Sequence, residues 1–228
     1  MAGWRGIGFG FMAVCLLSCS SNDGGGEVVR RPEKGFYLEG TVRSEEGSPL
    51  VTVLLQGRED GPEGDFYEGI LDLKLDGQPL AADSSRLGGI FYEAQVPVED
   101  FAGSHRLEGT APGGATFKKE FTYAPLRFAA EPPARLSRTG FRLQLQGVPE
   151  GGAVVLVLTD TAFVSNDLAE RVTVSKGLLT LSPDQLRDVR NGPAQLQLTC
   201  LQELDLGEAV PGKVRIEHTL RRELELRD

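Results

Sequence analysis

The chain has 228 residues, with 33 acidic against 24 basic side chains and a net charge of −9. That excess of negative charge argues against binding nucleic acid or anionic membrane surfaces through general charge. Hydrophobic residues make up 40% of it and cysteines number only three, so an apolar core rather than a disulfide framework has to carry the fold.

At the start, Arg5 precedes an apolar run from Ile7 to Leu17, closed by Leu16-Leu17-Ser18-Cys19. A run of about eleven residues is too short to span a bilayer, which takes roughly 20. The layout is that of a secretory signal peptide. Its end resembles the lipobox of bacterial lipoproteins, where cleavage falls just before a cysteine that becomes lipidated. The resemblance makes residues 1–18 a lipoprotein signal peptide and Cys19 the lipid attachment site; an ordinary signal peptide cut elsewhere is the alternative. Two or more acyl chains, at about 0.8 kcal/mol per buried CH₂, hold a protein stably in a membrane. Ser20 rather than Asp follows the cysteine, which in many Gram-negative bacteria implies sorting to the outer membrane. Residues 19–34 read as the lipidated N-terminus and a flexible linker, with Ser20–Gly26 (SSNDGGG) as tether.

Loss of residues 1–18 removes Arg5 and no acid, taking the mature chain to −10. Cys15 leaves with the signal and Cys19 is consumed by lipid. Cys200 then stands alone and no intramolecular disulfide can form. Trp4, the single tryptophan, leaves too. About 200 remaining residues fit two domains.

Past residue 35 almost every segment reads as a strand: Phe36–Val42, Val51–Leu55, Gly69–Leu75, Gly89–Val98 and Ala115–Tyr123. Gly, Pro, Asp and Ser punctuate them at intervals of about 8–12 residues, the spacing of a sandwich or barrel. Asp76-Gly77 is a two-residue hairpin signal of type I′ preference. Ala124–Ala134 (APLRFAAEPPA) is proline-rich and reads as a junction, which divides the chain into a first domain at 35–124 and a second at 125–228.

In the second half, Phe141, Leu143 and Leu145 alternate with Arg142, Gln144 and Gln146, giving one buried and one wet face. Ala153–Leu158 is apolar on both faces and predicts a central strand. Ser182-Pro183-Asp184-Gln185 predicts a short helix over Pro183–Val189, with Ser182 and Gln185 as a capping box. Ala194–Leu201 is a strand with Leu196, Leu198 and Cys200 on one face. Lys213–Arg227 is a long one. Val214, Ile216, His218, Leu220, Leu224 and Leu226 share one of its faces, and the period of two decides against helix.

The stretch from Leu73 to about Leu206 resembles the tandem immunoglobulin-like domains of uncharacterised bacterial lipoproteins. The matching residues are Leu75–Leu80, Gly89–Tyr92 and Phe121–Pro125 in the first domain. In the second they are Leu136–Arg138, Leu181–Leu186 and Gly192–Leu196. Separately, Leu38–Val53 is similar to the opening of carboxypeptidase regulatory-like β-sandwiches, themselves non-catalytic. The implied fold is all-β: two tandem immunoglobulin-like antiparallel β-sandwich domains after a signal peptide and tether. The antibody-type cysteine pair is missing.

Candidate chemistry is sparse. His105 follows Gly103-Ser104 in an expected turn, and no G-x-S-x-G elbow accompanies it. His218 sits on an apolar face and is expected to be partly buried and hydrogen-bonded. Two distant histidines and one cysteine do not make a zinc site. Cys200 has Leu196 and Leu198 beside it, which suits core packing better than a reactive thiol. Glu59–Asp65 and Asp160–Asp167 have oxygen ligands for calcium but fit no calcium-loop pattern; solvated turns are the simpler reading. Three adjacent aromatic pairs, Phe36-Tyr37, Phe66-Tyr67 and Phe91-Tyr92, should each send one ring away from the core. Together those rings are enough for a sugar-stacking or protein-binding platform, with packing against the other domain or under loops as the simpler reading.

The sequence thus predicts no catalytic residue, no metal and no cofactor. It predicts a non-catalytic, membrane-anchored envelope lipoprotein, structural or protein-interacting. The alternative is a ligand-binding surface lipoprotein, with glycans as the candidate ligand. Its expected partners are the membrane, through the lipid on Cys19, and an envelope protein, but no nucleic acid. Its expected place is the outer membrane, facing the periplasm or the cell surface.

Overall fold

The computed structural model describes residues 35–86, 88–161 and 167–228. The signal peptide, Cys19, the linker and part of the Asp160–Asp167 loop lie outside these residues.

In the first half, period-two burial marks Leu50–Arg58, Asp72–Leu75 and Thr116–Tyr123 as expected, whereas Ala81–Ser85 is exposed throughout. The strands of this half are β1 (Tyr37–Glu45), β2 (Leu50–Arg58), β3 (Asp72–Leu75), β4 (Gln78–Pro79), β5 (Ala81–Ser85), β6 (Gly89–Pro97), β7 (Gly103–Thr110) and β8 (Thr116–Tyr123). In β2, Val51, Val53 and Leu55 are buried and the residues between them are not. Asp76 and Gly77 both have positive φ, 53° and 78°, and join the paired residues Leu75 and Gln78. That is the hairpin their sequence predicts. His105, expected in a turn, lies inside β7.

The second half holds β9 (Arg127–Phe128), β10 (Arg135–Ser137), β11 (Phe141–Gln146), β12 (Ala153–Asp160), β13 (Leu168–Thr173), β14 (Leu178–Leu181), β15 (Gly192–Asp205) and β16 (Gly212–Arg227). The helix expected over Pro183–Val189 is absent. Its capping box does form: the Ser182 amide donates to Gln185 Oε1 at 2.9 Å and the Gln185 amide to Ser182 Oγ at 3.4 Å. Beyond it only three-residue turns close, such as Leu186 to Pro183 and Val189 to Leu186. So short a segment does not offset the cost of helix nucleation. Leu186 and Val189 are instead buried in the core.

The protein is all-β, built as two β-sandwiches in tandem. In the first, β4-β3-β7-β8 faces a sheet containing β1, β2, β6 and β5; in the second, β14-β11-β9 faces β13, β12, β15, β16 and β10. The two longer sheets are one sheet, in the order β13-β12-β15-β16-β1-β2-β6-β5 with β10 also on β16. Pairing is antiparallel except at β16, which runs parallel to β1 and to β10. The β15–β16 hairpin is therefore common to both sandwiches. Leu220, Leu224 and Leu226 enter the second core, whereas Val214 and Ile216 enter the first. Leu206 and Val210, from the turn of the hairpin, are in the first core too. Residues 206–216, expected in the second domain, thus complete the first core, because a strand of 16 residues is longer than one sandwich needs.

Candidate functional site

Two polar places stand out: the junction between the sandwiches and the outer face of the shared sheet. At the junction the chain passes from Tyr123, in the first core, to Leu126, in the second. Gly147, at φ 84°, lies so close to the Pro125 carbonyl that a Cβ would come within 2.3 Å of it. The pattern of β1 turns Ser44 inward, and that of β16 turns His218 inward at the same level. Ser44 Oγ bonds both the Tyr123 hydroxyl and His218 Nδ1, and the Tyr123 hydroxyl lies 3.2 Å from the same ring nitrogen. Both hydroxyls reach the same ring nitrogen, and which of them donates follows the tautomer of the ring. Burial holds the His218 pKa below 6.5, and Arg127 acts the same way; the Glu46 carboxylate and the Leu126 carbonyl oppose them. Burial likewise raises the Tyr123 phenol.

Beside this cluster, Arg222 ties three segments together. Its Nη2 donates to Glu46 Oε1 at 2.8 Å, in the β1–β2 turn, and its Nε to Glu131 Oε1 at 2.6 Å, in the segment after β9. The guanidinium also lies 4.9 Å from the Phe128 ring centre. The paired guanidinium keeps the Glu46 carboxyl below its usual range, and the two carboxylates raise Arg222. A cleft of about 320 Å³ opens here, with Glu46, Phe128, Glu131, His218 and Arg222 on its walls. A serine–histidine bond invites comparison with a nucleophile and its base. Ser44 is only 3% exposed and is shared with a tyrosine. The arrangement joins two lobes and does not present a nucleophile.

His105 is 9% exposed and stacks on Phe101 with ring centres 3.9 Å apart. Its Nδ1 lies 2.8 Å from Asp76 Oδ2 and its Nε2 2.6 Å from the Phe101 carbonyl. Asp76 Oδ1 accepts the Arg106 amide at 2.7 Å, so the histidine pins the hairpin that Asp76 begins. Cys200 is buried in the second core, opposite His218 in the ladder, and burial raises its thiol pKa.

The two aromatic pairs on strands, Phe36-Tyr37 at the start of β1 and Phe91-Tyr92 in β6, divide as the strand period requires, and Phe66-Tyr67 lies outside the strands. Phe36 and Tyr92 are buried and Tyr67 packs against them, its ring 5.4 Å from that of Phe36. Their neighbours Tyr37, Phe66 and Phe91 are only partly covered, on the other side of the sheet. There Arg58 faces Tyr37 in the ladder and lies 4.5 Å from the Phe66 ring centre. It also donates to Glu39 Oε1 at 2.5 Å and to the Gly64 carbonyl at 3.1 Å. A groove of about 430 Å³ runs along this face from β16 to β2. The alternation signalled the outward rings in the sequence; which charges would join them depends on cross-strand register and carried no local signal.

Among the described residues, no group of three or more His, Cys, Asp or Glu is placed to hold a metal ion, and no helix is long and apolar enough to cross a membrane.

No protein-family model and no curated protein matches this chain. Among solved structures, it is similar to a tetra-tandem repeat in the extending region of a large adhesion protein. The identity there is 12% and the TM-score 0.28, over 84% of this chain and 49% of that one. It is also similar to the tandem Ig repeats of Dlar, at 9% identity and TM-score 0.25, over 81% of this chain and 98% of that one. Immunoglobulin domains 1–4 of Sidekick-1 match at 17% identity and TM-score 0.22, over 83% of this chain and 48% of that one. This chain spans about half the length of the first of these.

Proposed function

We propose that this protein is a non-catalytic envelope lipoprotein, anchored through Cys19 in the outer membrane, whose paired sandwiches form a stiff structural or protein-interaction module. The observation that carries the reading is the β15–β16 hairpin, which belongs to both cores and leaves no flexible linker as the sole connection. Arg222 and the Ser44–Tyr123–His218 cluster brace the same level. A stiff body on a lipid tether suits holding a partner at a set distance from a membrane. Pulsed spin-label distances between Asp83→Cys on β5 and Arg171→Cys on β13 test the stiffness: a single narrow distribution is expected, and a broad one refutes the spacer. Loss of palmitate labelling in Cys19→Ala tests the anchor, and unchanged labelling refutes it. A second reading, a ligand-binding surface lipoprotein, draws on the partly exposed rings and fixed polar side chains of the outer sheet face.

A further inference from the structure

We propose that the outer face of the shared sheet, where β16, β1 and β2 lie side by side, binds acidic oligosaccharides bearing carboxylate or sulfate groups. This rests on the second reading above and narrows its ligand. Register places Lys213, Glu39, Gln56 and Phe91 in one row across four strands, with Tyr37 and Arg58 in the row beside it. Strands lie about 4.8 Å apart, so the row extends for roughly 14 Å, the reach of a short oligosaccharide.

The polar side chains are already fixed. Arg58 is held by Glu39, Gly64 and the Phe66 ring, and Gln56 donates to the Gly88 carbonyl. Groups ordered in advance lose little freedom when a ligand arrives. The Tyr37 ring, which lines the groove beside fixed planar donors, suits a ligand with apolar ring faces and a hydroxyl rim. A protein partner would want an apolar patch at the centre. Ile70, the one large hydrophobic residue strongly exposed among those described, does not line this groove.

Charge selects the acidic class. The two groove carboxylates are each engaged by a cation, Glu39 by Arg58 and Glu203 by Lys213 at 3.3 Å. Arg215 lines the same groove and has no hydrogen-bond or ion partner among the described residues. Arg215 stands across the ladder from Glu203, whose carboxylate is bonded to Lys213, so the groove holds three cations to two carboxylates and the Arg215 guanidinium is a local match for a further carboxylate or sulfate, which it meets in bidentate fashion. The overall negative charge means that polyanions gain nothing by general attraction, so binding depends on this groove.

The test is calorimetry on the full chain in detergent, with an oligogalacturonate, a heparin-derived oligosaccharide and a neutral cello-oligosaccharide of equal length. At least one acidic probe should bind about tenfold or more tightly than the neutral one. Arg215→Gln and Tyr37→Ala should each weaken it about tenfold, while Arg142→Gln on β11 leaves it unchanged. Circular dichroism checks that each variant is folded. Equal binding of the neutral probe, or acidic binding that neither variant moves, overturns this proposal and leaves the ligand-binding reading standing. No binding of any probe overturns both.

Discussion

Ser44 and His218 come from opposite ends of the described chain, 174 residues apart, yet they are direct partners in the parallel β1–β16 ladder and their side chains bond to each other. Tyr123, the last residue of β8, completes the contact at the point where the chain leaves the first sandwich. Three elements with no local relation in sequence thus meet in one buried polar cluster. Such groups are tolerated inside only when partnered, which gives the junction one satisfied arrangement.

Tyr123→Phe keeps the ring against Phe101 and leaves Ser44 on His218, so it should cost about 1 kcal/mol. Ser44→Ala should cost a similar amount, because Tyr123 still reaches Nδ1. The double variant strips Nδ1 of both hydroxyls and should cost about 1–3 kcal/mol more than the two singles together. Urea denaturation of the four proteins measures this coupling, and simple additivity would count against it.

Acid should loosen the junction first. The folded pKa of His218 lies below its unfolded value of 6.5, so above that pH both states are neutral. Below it the unfolded chain binds a proton that the folded chain resists, and stability falls as pH drops. The depressed Glu46 carboxyl adds a loss of the same sign below about its ordinary value of 4.5. Melting temperature should therefore decline from pH 7 to pH 5, and His218→Gln should flatten the part of the slope nearest pH 6. A slope that survives this substitution would place the titrating group elsewhere.

Arg222→Ala should lower stability by about 1 kcal/mol at low salt, the scale of a partly exposed network. The effect should shrink at 1 M salt, where screening shortens to about 3 Å. Arg222→Lys should restore little, since an ammonium cannot hold Glu46 and Glu131 with the forked geometry of a guanidinium. Guanidinium-free denaturation at two salt concentrations reads both effects.

Ile216 lies in the first core and Leu226 in the second, on one strand. Truncation of either to alanine should cost about 2–5 kcal/mol. Because the strand is common to both sandwiches, each substitution should shift the same single calorimetric transition. Two transitions, each moved by only one substitution, would mean that the lobes unfold separately.

The period-two alternation of apolar side chains is a local property, and by itself the sequence determined most of the strands, the inward and outward aromatics and the Asp76-Gly77 turn, but not β7, whose first residues Gly103-Ser104 read as a turn. The Ser182–Gln185 box was legible too, but whether a helix followed depended on the core contacts of Leu186 and Val189. What only the tertiary structure decided is pairing across distance. Alternation along β16 is the same whether the strand serves one core or two, since both cores ask for the same apolar residues. The pattern shows only that His218 and Arg222 interrupt it. That they mark the level between two sandwiches, with Ser44, Tyr123, Glu46 and Glu131 as their partners, follows from the parallel register of β1 on β16. Hydrogen bonds between strands so far apart in the chain leave no period in the sequence to read.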